Sequence, residues 1–186
     1  MNSIRFFKSL WYPLLPSVSA RLHEKRRKGL LYRSCPSEVL ECQKEQDRTF
    51  WTHFLQPHRA GNFLEVGAGD GIVGSHSLGL EMEHGWGGAL AEPRPIPRSN
   101  AAKVRNCEVM GEAPKITRPD VFDLLAIHRI TGFSPILKAL ESKQLRPMWV
   151  IVENREPDPR WCRWLERSGY RLKFFFHDDE YFKLAL

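Results

Sequence analysis

Five residues carry the strongest chemical signal in the chain: Glu65, Gly67, Gly69, Gly71 and Glu92, with Ala68 and Asp70 completing the run Glu65-Val66-Gly67-Ala68-Gly69-Asp70-Gly71. Glycines at this spacing let a ligand approach the backbone closely and let the turn take dihedrals that other residues resist. Gly69-x-Gly71-x-x-Gly74 satisfies the G-x-G-x-x-G pattern of dinucleotide sites. The acids argue against a pyrophosphate, however. Asp70 lies inside the turn and Glu65 on the residues before it, where a phosphate requires backbone N–H groups and a helix N-terminus. A ligand bearing a sulfonium and an ammonium group, with no phosphate, tolerates both acids. S-adenosylmethionine is such a ligand. Its ribose requires an acceptor at the end of the next strand, and Glu92 stands there, about 20 residues beyond the glycines, where a carboxylate accepts from both hydroxyls.

These residues must be positioned by strands and helices, and the pattern supplies them. Asn62 to Val66 reads as a short apolar strand running straight into the glycine turn. Ile72, Val73, Leu78, Leu80 and Met82 suggest a helix ending near Gly85. Gly88 to Ala91 reads as a second strand, 93–103 as loop then helix, and Cys107 to Met110 as a third strand. Val121 to Ile127 and Met148 to Val152 are buried-type strands; Pro135 to Ser142 and Trp161 to Arg167 are helices, the second capped by Gly169. Arg171 to His177 and Tyr181 to Leu186 form a hairpin around Asp178-Asp179-Glu180. Upstream, 36–58 has helical periodicity. Strands alternating with helices predict an α/β fold: a Rossmann-like, doubly wound, mostly parallel sheet with a C-terminal antiparallel hairpin.

The segment from Phe63 to Pro95 resembles the cofactor-binding half of FkbM-type methyltransferases. That family has a strand ending in Glu/Asp-x-Gly-Ala-x-Asp-Gly, a helix, a Gly-Trp pair, and a strand ending Glu-Pro-x-Pro. The counterparts are Glu65, Gly67, Ala68, Asp70, Gly71, Gly85, Trp86, Glu92, Pro93 and Pro95. Gln46-Asp47 upstream, and Phe122 to Ile127, Ile136 to Leu140 and Val150 to Asn154 downstream, extend the resemblance over 45–186. It implies a class I methyltransferase-like fold, S-adenosylmethionine as cofactor, and O-methylation of a small-molecule or saccharide hydroxyl. One departure stands out. The family carries Ile-Asp-x-Glu-Gly after the fourth strand, whereas this chain reads Ile127-His128-Arg129-Ile130-Thr131, without either acid. Only 34 residues separate Glu92 from Ile127, which is short for the family. Cofactor binding is therefore better supported than catalysis, and a non-catalytic binder with an interaction or regulatory role is the alternative.

For catalysis, His128 is the candidate base at the end of the fourth strand, since an ordinary imidazole titrates near neutrality. Glu153 and Asn154 end the fifth strand and are candidates for the acceptor pocket; His76, Arg94 and Arg98 have open roles. The third function class, a nicotinamide-dependent oxidoreductase, is disfavoured by Asp70.

Charge and cysteines bound the rest. The 186 residues carry a net charge of +6, but 1–33 hold eight Lys/Arg against one Glu, leaving 34–186 at −1. The chain thus divides into a basic arm, 1–33, and a neutral domain, 34–186. A neutral body lacks the basic footprint of a nucleic-acid enzyme. Aromatics beside the basic run of the arm fit an anionic membrane surface, so peripheral membrane contact is the expectation there. Cys35, Cys42, Cys107 and Cys162 form no C-x-x-C pair and no zinc spacing, which points to a reducing, cytoplasmic setting and no metal.

Overall fold

The structure, a computed structural model, describes residues 60–112, 122–128, 134–153, 159–176 and 178–185, together with Phe50, Trp51 and Leu55. The basic arm, most of the 36–58 helix and Asn154 lie outside the described residues.

Among the described residues, seven strands and four helices follow one another along the chain. They are β1 (Asn62–Val66), α1 (Leu78–His84), β2 (Gly87–Ala91), α2 (Pro95–Ala101), β3 (Glu108–Met110), β4 (Leu124–Ile127), α3 (Ser134–Glu141), β5 (Trp149–Glu153), α4 (Pro159–Arg167), β6 (Tyr170–Phe176) and β7 (Asp179–Leu184). One sheet holds all seven strands in the order β3-β2-β1-β4-β5-β7-β6. The first five run parallel, and β7 is antiparallel to both β5 and β6. The order runs outward in opposite directions from β1 and β4, so the crevice at their carboxyl ends is the topological switch point where such sheets bind ligands.

Alternation along each strand feeds two cores. Leu64, Val66, Leu125, Ile127, Val150 and Val152 face α3 and α4 through Ile136, Ala139, Leu140 and Leu165. Phe63, Leu90, Leu124, Ala126, Trp149 and Ile151 face the other way, against Leu80 of α1, Ala101 of α2, and Phe50 and Trp51. Strands buried on both faces read as continuous apolar runs, which is why β4 and β5 are so visible in the sequence. Phe50 also meets the rings of Trp149 and Tyr181 at 5.2 and 5.0 Å. Among the described residues, no helix is long and apolar enough to cross a membrane.

One expectation shifts, and one arrangement is settled that the sequence left open. The helix after the glycine turn begins at Leu78, not Ile72. Asp70 Oδ1 accepts from the backbone N–H groups of Ile72 and Val73 at 2.9 and 3.0 Å, which closes a local side-chain turn in place of helix. The second concerns the hairpin. Its second strand, β7, sits inside the sheet beside β5, and β6 forms the edge. Tyr181 and Phe182 of β7 are accordingly buried, whereas Phe175 of the edge strand β6 is 75% exposed.

Candidate functional site: a glycine turn between two buried acids

The turn from Gly67 to Ser77 is pinned from both sides. At its start, Gly67 N–H donates to Ala91 O at 2.7 Å, and Ala68 N–H to the same carbonyl at 3.4 Å, which carries the chain across the end of β2. At Gly69 the backbone is left-handed, φ 60°, and its N–H donates to Glu92 Oε2 at 2.8 Å. A Cβ added at Gly69 would make only an ordinary van der Waals contact, 3.9 Å from Arg94 Nη2, so the guanidinium lies against this face of the turn without crowding it. Gly71 is the opposite case. Its φ is 72°, and an added Cβ would stand 3.0 Å from Arg105 Cγ and 3.2 Å from Ala101 Cβ and Leu90 Cδ1. Gly71→Ala therefore combines left-handed strain with crowding, and we expect a loss of about 1–3 kcal/mol, read from the urea midpoint.

Glu92 closes the far side. Its side chain is only 1% exposed, yet it holds four donors. Oε1 accepts from the Arg94 backbone N–H at 2.9 Å and from Arg94 Nε at 2.7 Å. Oε2 accepts from Gly69 N–H at 2.8 Å and from Arg94 Nη2 at 2.9 Å. Burial pushes the carboxyl up, but Arg94 and the two backbone donors outweigh it and hold Glu92 below the ordinary carboxylate value. Arg98 Nη1 reaches the backbone carbonyl of Glu92 at 3.5 Å.

Glu65 lies on the inner side of the turn, fully buried. Oε2 accepts from Ser75 Oγ at 2.8 Å, from Ser77 N–H at 3.2 Å and from Ser77 Oγ. Oε1 faces the His76 N–H at 3.3 Å and His128 Nε2 at 2.6 Å. The carboxylate thus organises 75–77 and ties β1 to the end of β4. Burial would raise its pKa; the hydrogen bond and charge of His128, with Arg105 and His76, bring it down to about 2. For His128, burial would lower the pKa, but hydrogen bonds to Glu153 and Glu65 and the Glu65 charge raise it to about 9.

Sheet register explains why His128 meets Glu153. Ile127 pairs with Val152, which places the next residues, His128 and Glu153, side by side, and Glu153 pairs with Asp179. One polar row, His128–Glu153–Asp179, therefore ends three adjacent strands. His128 Nδ1 lies 3.5 Å from Glu153 Oε2. His76 covers the row: its ring stacks on His128 at 5.1 Å and its Nε2 lies 3.6 Å from Asp179 Oδ2.

Arg105, which no sequence pattern marks, locks the turn from below. Its side chain is fully buried against Glu81 at 2.8 Å. Nη1 donates to Gly71 O at 2.9 Å and Ser75 Oγ at 3.0 Å, Nη2 donates to Ser77 Oγ at 2.9 Å, and the guanidinium lies 5.6 Å from the Phe63 ring centroid. A continuous polar chain runs from Glu81 through Arg105 and Ser77 to Glu65, His128 and Glu153.

The expected site residues thus fall into two groups. Gly67, Ala68, Gly69 and Glu92 meet at one corner of the switch point. Glu65, Asp70, His128 and Glu153 make contacts within the chain that shape that corner. Asp123, at the start of β4, accepts from Asn62 N–H at 2.9 Å at the opposite end of the sheet.

The pH dependence of the Glu65–His128 pair follows from the two shifts. His128 is raised from 6.5 to about 9, so its contribution is complete below pH 6.5 and disappears as pH rises through about 9. Glu65 is lowered from 4.5 to about 2, so its contribution is complete above pH 4.5 and disappears as pH falls through about 2. The stability gap between wild type and His128→Asn should be widest between those two ordinary values and shrink toward pH 9. Urea denaturation at pH 6, 7.5 and 9 checks it; a gap that grows with pH would contradict the pairing.

The site can also be tested for fit to an adenosyl ligand. A buried carboxylate at the end of β2, tied to the glycine turn at the switch point, fits a ribose-bearing ligand that brings no phosphate.

No family model matches the chain, and no curated protein matches it. Solved structures do. The TehB-like SAM-dependent methyltransferase from Corynebacterium glutamicum is 15% identical with a TM-score of 0.53, over 91% of this chain and 100% of that one. The sugar N-methyltransferase KedS8 from Streptoalloteichus is 12% identical with a TM-score of 0.54, over 86% and 93%. The mitomycin 7-O-methyltransferase MmcR is 16% identical with a TM-score of 0.50, over 90% of this chain but 60% of its own length, so this chain spans less than two thirds of that enzyme. A MtNAS variant in complex with S-adenosylmethionine is 13% identical with a TM-score of 0.53, over 96% and 77%. With the strand order β3-β2-β1-β4-β5-β7-β6 and the single antiparallel insertion of β7, these likenesses establish the Rossmann-like fold of the class I S-adenosylmethionine-dependent methyltransferases.

Proposed function

We propose that the protein binds S-adenosylmethionine and transfers its methyl group to a hydroxyl of a small molecule or saccharide, as its resemblance to FkbM-type methyltransferases implies. The observation that carries the reading is Glu92: a buried carboxylate at the end of β2, tied through Gly69 N–H to the glycine turn at the switch point. In this reading Gly67, Ala68, Gly69 and Glu92 hold the adenosyl group. Glu65, Asp70 and Gly71 act indirectly, by keeping the turn in shape. The ligand supplies an electrophilic methyl group when bound. The chain supplies alignment with the acceptor, which accounts for much of the acceleration in such displacements. The acceptor is placed over the ends of β4 and β5, beside Glu153 and, outside the described residues, Asn154.

His128 takes a different role from that of a free base. Protonated at neutral pH and held by Glu65, it has no lone pair with which to accept the hydroxyl proton. We assign it to holding Glu65 and, through it, the turn. That same observation favours the second reading, a binder without turnover, because the position where the resembling family has its first acid carries a cation. A transfer assay with labelled S-adenosylmethionine over hydroxyl acceptors from pH 6 to 9 tests both. Transfer with a flat profile between pH 6 and 8 supports the enzyme and the ion-pair role. A tenfold rise per pH unit would return His128 to the base role. Binding with no transfer would leave the non-catalytic reading.

A further inference from the structure

Glu92 has no acceptor capacity to spare. Its two oxygens offer about four lone-pair sites, and the four donors described above fill them. Two of these are backbone N–H groups that belong to the fold. The other two, Nε and Nη2, belong to the guanidinium of Arg94, whose side chain is 66% exposed over a carboxylate that is 1% exposed. A guanidinium edge presents two parallel donors to a carboxylate. A vicinal diol presents the same thing: two hydroxyl donors on adjacent carbons, aimed the same way.

We infer that Arg94 is an internal stand-in for the ribose diol, a latch that occupies Glu92 in the free protein and must swing out when an adenosyl ligand binds. The inference rests on the proposed adenosyl site. The swing returns a guanidinium that is already 66% exposed to full solvent, while the two hydroxyls of the ligand take over its two donor places on the buried carboxylate. Its release leaves Gly69 N–H and Arg94 N–H on Glu92, so the turn keeps its shape while two lone pairs open toward the Gly69 face. Arg94 Nη2 stands 3.9 Å from where a Gly69 Cβ would be, so the guanidinium lies against the Gly69 face that the ligand would approach. Arg94 thereby sets a threshold: only a ligand that replaces both of its donors recovers what the latch gives up.

The test is calorimetric titration of wild type and Arg94→Ala with S-adenosylhomocysteine and with its 2′,3′-dideoxy form. Arg94→Ala should bind S-adenosylhomocysteine about fivefold more tightly, a gain of roughly 1 kcal/mol, with the dideoxy form unchanged. Arg94→Lys, which cannot present the planar fork, should behave like Arg94→Ala. If wild type binds and Arg94→Ala binds equally or more weakly, the latch is wrong and the adenosyl site stands. Equal tightening for both ligands also overturns the latch, since the diol would then not be the group in competition. If neither protein binds either ligand, the latch and the adenosyl site both fall.

Discussion

Glu65→Ala should be the most damaging single substitution in the described chain, lowering stability by about 3–5 kcal/mol. For a chain of this length, that corresponds to a fall in Tm of roughly 6–20 °C. Every partner of this carboxylate loses something different. His128 is left a buried cation without its shortest contact, the hydroxyls of Ser75 and Ser77 lose the Glu65 oxygens, and so do the backbone N–H groups of 76 and 77. A buried group stranded without its partner costs more than the interaction itself contributes. Glu65→Gln keeps the shape and should recover part of the loss, because an amide oxygen still accepts from the serine hydroxyls. His128→Asn should cost less than Glu65→Ala, since it removes one donor of several. In a double-mutant cycle the two sites should couple by about 1–3 kcal/mol, as contacting members of one network do. Coupling near zero would mean that the 2.6 Å contact carries no energy.

Glu92→Ala should leave the protein folded and remove most of its affinity for S-adenosylhomocysteine. Two hydrogen bonds to a charged acceptor contribute at least about 1.5 kcal/mol each. Displacing the exposed Arg94 offsets up to about 1 kcal/mol of that. The remainder, about 2–3 kcal/mol, is a loss of roughly 30- to 150-fold in Kd. The stability cost is smaller than at Glu65 because Arg94 returns to water when its partner goes, whereas His128 does not. In the proposed reading the contrast separates the two acids: one is chiefly structural, the other faces the ligand. Measuring Tm and Kd for both variants distinguishes them, and equal effects on both quantities at both sites would contradict the division.

Both acids stand out in the sequence, yet their roles do not. Strands buried on both faces announce themselves as apolar runs, so β1, β4 and β5 are legible, and Glu92 is legible because an acid directly after such a run sits at a strand end. The start of α1 is hidden. Ile72 and Val73 continue an apolar pattern, and only Asp70 accepting their N–H groups shows that the chain is still turning. The place of β7 is hidden for another reason. A hairpin reads the same whichever of its strands joins the sheet, and only the pairing of β7 with β5, which buries Tyr181 and Phe182, shows the order. The row His128–Glu153–Asp179 joins residues from three strands through register, which spacing along the chain does not encode. Arg105 is the extreme case. In sequence it is one more cation in a polar stretch, and its function comes entirely from Gly71, Ser75, Ser77 and Glu81 converging on it.

The central claim is that Glu92 and the glycine turn make an adenosyl site, and titration calorimetry of the full chain with S-adenosylhomocysteine tests it most directly. Saturable one-to-one binding, largely lost in Glu92→Ala, is the expected result. No saturable binding by the folded wild-type protein, or binding that Glu92→Ala leaves unchanged, would contradict it.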